Sequence, residues 1–315
     1  MSGTPFLYLW LLVLGIGWGL TLPMAKIAVS TGHQPMGLIF WQLFVMVVFL
    51  GLLLPLIGKR PVLARRHLKL FVMVSLLGAV LPDIFYYLSA IHLPGGIMSI
   101  LASTTPMFSM PIAILFRNEK FEPRRFFGLL FGFVGILLLV TPEASLPAGT
   151  AAFYILIALL APALYACEGN LVMKWGTQGL DPIQVVLGAA VVGLFFAAPL
   201  ALMSGQWINP LASFGKPEIA LALGAALHAL VYVGYVWLVG RAGSVFSAQS
   251  AYIVTVCGVV SSIIMLNERY SIWVWLALGT MMLGMFLVQP RAARVLVPAR
   301  VMAMNPPVQH EKARP

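Results

Sequence analysis

Charge is scarce in this chain. Asp, Glu, Lys and Arg together make up 9% of 315 residues, against roughly 25% in soluble domains. So few charges exclude an ordinary soluble domain. Cysteine is nearly absent as well: Cys167 and Cys257 both fall inside apolar stretches. Their spacing suits neither a disulfide framework nor a metal or redox site, so they read as small apolar residues. Nucleotide and protease signatures are missing too. No glycine-rich loop ends in Lys-Ser/Thr, so ATP-driven pumping has no support, and no His-Glu-x-x-His pair suggests a metalloprotease. Gly243-Ser244-Val245-Phe246-Ser247 lacks the glycine after the serine that a nucleophile elbow needs. These absences argue against an enzyme and imply no metal and no cofactor.

What is present is apolar sequence, 61% of the residues. It divides into ten runs, at roughly 6–30, 35–57, 68–92, 96–116, 125–141, 150–175, 183–203, 218–240, 245–266 and 272–290. Uncharged runs of about 20 residues cross a bilayer as helices, because lipid offers the backbone no hydrogen-bond partner. The alternation of a transmembrane β-strand is absent. The first run has no basic stretch before it and no convincing cleavage site, and reads as a retained helix rather than a signal peptide.

The net charge of +10 does not point to nucleic acid, because the basic residues lie in short loops between apolar runs. With ten spans, all Lys and Arg except Lys26, Lys216 and Arg269 fall on the side of the N-terminus. The positive-inside rule then puts both termini in the cytoplasm. A basic tail, 291–315, follows the last span and reads as disordered. Arg291, Arg294 and Arg300 can meet anionic lipid there, although topology alone explains them.

A motif recurs at an offset of 149 residues. Asn118-Glu119-Lys120-Phe121 is answered by Asn267-Glu268-Arg269-Tyr270. The same offset relates Tyr86 to Tyr235, Ala102 to Ala251, Leu129 to Leu278 and Gly135 to Gly284. The chain thus reads as two five-helix repeats, 1–141 and 150–290, joined by a short segment with Pro142, Pro147 and Gly149. Five helices per repeat is odd, so the second repeat enters the membrane from the opposite side. Inverted repeats are the architecture of secondary transporters, whose substrate sites lie between the halves.

The residues from Tyr86 to Leu139 resemble the EamA repeat of the drug/metabolite transporter superfamily. The resemblance rests on Tyr86, Thr105-Pro106, the Asn118-Glu119 junction and Gly128, Gly132 and Gly135. Tyr235 to Gln289 looks like the second copy, and Gly17-Trp18-Gly19 resembles the family's first helix. The resemblance implies a ten-helix inverted-repeat bundle around a central cavity. It also implies a transporter of small metabolites, often an exporter, often coupled to protons. No substrate-contact motif carries over. Thr255 stands where the second copy would have the counterpart of Pro106, so the halves are expected to bend differently.

Ionisable groups inside apolar helices are costly, and they normally face a cavity or a partner. Lys26, Asp83, Glu168 and His228 qualify. Asp83 follows Pro82 and precedes three aromatic residues. It suits an amine or a proton, or else a structural ion pair with Lys26. Glu168, among small residues, suits a buried proton carrier or a hydrogen bond to a neighbouring helix. His228 suits a proton relay, or a neutral packing role. Trp18, Trp41, Tyr86, Tyr87, Tyr232 and Tyr252 are candidates for an aromatic cavity wall, and Thr105 for a polar one; core packing is the alternative for each. Pro82 and Pro106 are candidate hinges. Glu119 and Glu268 are expected to brace helix junctions beside Lys120 and Arg269. Gly15-xxx-Gly19 and Gly128-xxx-Gly132 should let helices approach closely within the bundle. Trp207, Trp273 and Trp275 read as membrane-interface anchors.

The combined expectation is a monomeric transporter in a bacterial inner membrane that exports small metabolites, such as amino acids, against a proton gradient. Asp83 or Glu168 would alternate between proton and substrate. A facilitator or exchanger on the same fold is the alternative, and a membrane-embedded enzyme a remote one. The amino-acid expectation depends on Asp83 meeting the amine and Lys26 the carboxylate.

Overall fold

The computed structural model describes residues 4–140, 153–209 and 214–288. All regular elements among them are helical. Ten helices run in chain order: α1 (Thr4–Ala28), α2 (Pro35–Leu56), α3 (Arg65–His92), α4 (Gly95–Leu115) and α5 (Pro123–Val140), then α6 (Phe153–Trp175), α7 (Pro182–Met203), α8 (Lys216–Ala242), α9 (Ser244–Leu266) and α10 (Ile272–Val288). The first nine are long and apolar enough to cross a membrane. α10 has 17 residues, at the short end of the range for a span. The segment joining the repeats and the basic tail lie outside the described residues.

The helix ends follow from local chemistry. Proline opens α2, α5 and α7, where a missing N–H costs nothing. Asp181 and Gln184 form a reciprocal capping box at the start of α7. The Lys59 ammonium pairs with the same Asp181 and ties the loop before α3 to that cap.

Three helices depart from regularity, and proline or its hydroxyl neighbours account for two of them. α3 widens into a π turn at Leu76–Val80, directly before Pro82. The bend expected at Pro82 is thus taken up in the preceding turn. α4 breaks between Ala102 and Thr105, just before Pro106. There the hydroxyls of Ser103, Thr104 and Thr105 donate to the carbonyls of Ile100, Leu101 and Ala102. α9 is interrupted earlier, at Gln249, and runs without a break through Thr255. The Thr255 hydroxyl donates to its own helix at Ala251 O (2.7 Å) and lies 3.2 Å from Ser99 O of α4. The two halves do bend at different places.

Helix pairing follows a two-fold pattern. α1 packs against α8 and α9, as α6 packs against α3 and α4. α2 meets α8 as α7 meets α3, while the pairs α2–α7, α4–α9 and α5–α10 map onto themselves. Small residues set the close crossings. Gly15 and Gly19 lie against Ile253, Cys257 and Gly258 of α9, and Gly128 lies against Gly284 of α10. Both glycine pairs therefore serve contacts inside the bundle. Large apolar side chains such as Phe127, Phe133 and Leu137 of α5 point outward, as a lipid-facing surface requires.

The two motif glutamates brace the bundle, but with partners other than Lys120 and Arg269. The Glu119 carboxylate pairs with Arg125, which is buried at the start of α5. Glu268 accepts from the N–H groups of Gly95 (2.8 Å) and Gly96 (3.1 Å) at the start of α4, and from the Tyr270 hydroxyl. Burial, reinforced by Glu268, raises the Tyr270 hydroxyl above the usual phenol range and keeps it a donor. Glu268 thus works as a helix cap supplied by the other half. Glu268→Ala is expected to lose about 1–2 kcal/mol of stability, measured as a lowered melting temperature in detergent. Glu268→Gln keeps an acceptor and should lose less.

Candidate functional site

A cavity of about 130 Å3 lies between the halves. Helices α1, α2, α3 and α4 line it from one half, and α6, α8 and α9 from the other. Six aromatic residues stand in its wall, Trp18, Tyr86, Tyr87, Tyr165, Tyr232 and Tyr235, among small and aliphatic ones. Its polar groups come from Thr21, Gln42, Asp83, Thr105, His228 and Ser250. Asp83 is the single acidic residue in the lining, and no Lys or Arg lines it.

Asp83 is held by a short network. Its Oδ2 accepts from Gln42 Nε2 at 2.6 Å, and its Oδ1 accepts from the Tyr165 hydroxyl at 3.2 Å. The Tyr87 hydroxyl donates to Gln42 Oε1 at 2.5 Å. Both carboxylate oxygens therefore receive a donor. Across the cavity, Trp18 Nε1 donates to His228 Nδ1 at 3.2 Å. The Trp18 ring also meets Tyr235 edge-on at 5.3 Å between centroids.

The cavity lining extends to Ala25 on α1 and Ala220 on α8, each roughly one turn from its helix end. Toward the α1 N-terminus, beyond the lining, a polar layer built on Asn170 links the helices. Asn170 is fully buried. Its Nδ2 donates to Ser109 Oγ (3.1 Å), while its Oδ1 accepts from Ser244 Oγ (2.9 Å) and Asn118 Nδ2 (3.3 Å). The asparagine of the first repeated motif thus joins α4, α6 and α9 in one layer.

The structure brings most of the expected residues to the cavity. Asp83, His228, Trp18, Tyr86, Tyr87, Tyr232 and Thr105 all line it. Four do not. Lys26 donates to the carbonyls of Ala90 (2.5 Å) and Ile91 (3.3 Å) at the end of α3, so the ion pair with Asp83 is not formed. Trp41 donates its Nε1 to Ile208 O at 2.9 Å and packs against Phe40, Phe44 and Trp207. Trp207 packs against this cluster as well. Tyr252 packs against the apolar core built by α4, α5, α6, α9 and α10. Glu168 is fully buried behind Tyr232, whose hydroxyl lies 3.4 Å from its Oε1. Its Oε2 has no hydrogen-bond partner among the described residues. Gln42 and Tyr165, which position Asp83, are polar side chains within apolar helices, a signal weaker than charge.

The repeats at 5–141 and 151–289 match the EamA-like transporter family. The chain belongs to that family. An uncharacterized transporter of Archaeoglobus fulgidus is 20% identical over 206 residues, covering 65% of this chain and 71% of that protein. A riboflavin transporter of Brucella anthropi is 32% identical over 178 residues, covering 56% of this chain and 59% of that protein. A crystal structure at 15% identity aligns with a TM-score of 0.55 over 88% of this chain and 97% of its own, and shows the same fold. The EamA protein is thus an integral membrane protein and a transporter of a small molecule.

Proposed function

We propose that this EamA protein is a proton-coupled antiporter that exports a small ring-bearing metabolite across a bacterial inner membrane. The observation that carries the reading is the single carboxylate, Asp83, in a cavity with six aromatic residues and, among the described residues, no Lys or Arg. A proton and a substrate that offers an N–H or a positive charge compete for one carboxylate. The site can then carry either but not both, which is the condition for antiport. Protons moving inward on Asp83 would drive substrate outward.

The two repeats, 1–141 and 150–290, would rock about the cavity with both termini in the cytoplasm. In that orientation the Asn170 layer would be the cytoplasmic gate, and the cavity would face outward. The breaks before Pro82 and Pro106 are the proposed flexing points. Glu168, behind Tyr232, is a second protonation site next to the cavity rather than a substrate contact. His228 is a substrate contact more than a relay, since its Nδ1 already accepts from Trp18. The protein works as a monomer, in contact with membrane lipid.

Amino acids fit this cavity less well than the sequence suggests. Lys26 is committed to the carbonyls ending α3, so a substrate carboxylate finds no cation. A ring system fits the wall better, and the name of the Brucella relative, a riboflavin transporter, supports that class. The test is uptake into inside-out proteoliposomes of labelled flavins, organic cations and amino acids, with and without an imposed pH gradient. Gradient-driven accumulation of a ring-bearing probe is the expected result. Equilibration without accumulation would make the protein a facilitator.

A further inference from the structure

Building on the transport reading above, we infer that Gln42 and Asp83 together recognise the edge of a planar ring that carries an N–H beside a C=O, as in a cyclic amide or imide. The inference rests on where the Gln42 amide points. Its Oε1 takes the Tyr87 hydroxyl hydrogen, so Nε2 must face Asp83. One N–H of that amide is used on Oδ2, and the second has no partner among the described residues. Gln42 is 7% exposed and lines the cavity. A buried amide hydrogen without an acceptor is costly, and a ligand carbonyl would satisfy it.

Asp83 supplies the other half of the edge. Each carboxylate oxygen can accept more than one hydrogen bond, and Gln42 and Tyr165 take one on each. An acceptor and a donor therefore stand side by side in the cavity wall. A simple ammonium would satisfy Asp83 but would face the Gln42 N–H with a positive charge. An N–H/C=O edge satisfies both.

Other donors in the lining are mostly committed. The hydroxyls of Thr21, Thr105 and Ser250 donate to carbonyls within their own helices. The indole of Trp18 donates to His228. A neutral His228 ring that accepts at Nδ1 carries its hydrogen on Nε2, which gives the cargo a second donor across the cavity. Trp18 and Tyr86 stand in the lining, where a planar cargo would meet aromatic rings. Gln42 is on this account the residue that sets specificity.

The test is binding of lumiflavin, which carries a free imide N–H, against lumiflavin methylated at that nitrogen, by fluorescence titration of the purified protein. Wild type should bind the free imide at least about tenfold more tightly, because the methylated ring leaves buried polar groups unmatched. Gln42→Leu should bring the two ligands to within about threefold of each other. Equal affinity in the wild type, or no binding of lumiflavin, overturns the inference without any variant. Proton-driven ethidium extrusion from proteoliposomes separates the two levels. Extrusion together with failed lumiflavin binding would remove the imide edge and keep the transporter reading.

Discussion

Asp83→Asn should abolish accumulation driven by a proton gradient while leaving the bundle folded. The substitution is nearly isosteric, and an amide can still bond Gln42 and Tyr165. It cannot gain or lose a proton, so the step that links the two fluxes disappears. Substrate binding weakens too, because a charge-assisted hydrogen bond contributes about 1.5–3 kcal/mol, or roughly 10- to 100-fold in affinity. Counterflow of unlabelled against labelled substrate should persist at reduced rate. Unchanged gradient-driven uptake in this variant would remove Asp83 from the mechanism. Under the proposed antiport, the Gln42 network would set how the proton acts. An ionised Asp83 shows the cavity only acceptors. A protonated one turns one of them into a donor and no longer matches a substrate N–H.

The largest effect on stability is expected at the crossing of α5 and α10. A Cβ at Gly284 would stand 2.7 Å from Gly128 O and 2.9 Å from Gly132 N. A Cβ at Gly128 would stand 2.6 Å from Gly284 O. These neighbours are backbone atoms, which cannot swing aside as a side chain can. Gly284→Val should therefore push the helices apart, with a cost at or above the upper end of about 1–3 kcal/mol for overpacked cores. A fall in melting temperature of roughly 6–12 °C is expected. Gly279, on the same helix, has nothing within 4 Å of its missing Cβ. Gly279→Ala should fold as the wild type does. Equal melting temperatures for the two variants would contradict the packing account.

The spans were legible in the sequence because lipid leaves an uncharged run few alternatives to a helix. The inverted pairing was legible because an offset of 149 residues relates paired motifs and the number of helices per repeat is odd. Within the site, charge was the readable signal. Asp83 and His228 are costly among apolar residues, and both line the cavity. Lys26 shows where that signal stops. Its charge is offset by the carbonyls at the end of α3, and those come from a helix that only the fold brings near. Trp41 fails for a similar reason: its helix face turns to the loop around Trp207. Gln42 and Tyr165 were hidden because one amide or phenol in a membrane helix is cheap enough to be structural. Their role appears only when α2, α3 and α6 converge on one carboxylate.

The central claim is that proton and substrate compete for Asp83. The direct measurement is proton release on substrate binding, with the purified protein in weakly buffered detergent containing a pH indicator and lumiflavin as ligand. The account predicts up to one proton released per lumiflavin bound, with release falling as the starting pH rises, and none from Asp83→Asn. Saturable binding with no proton released at any starting pH would contradict it.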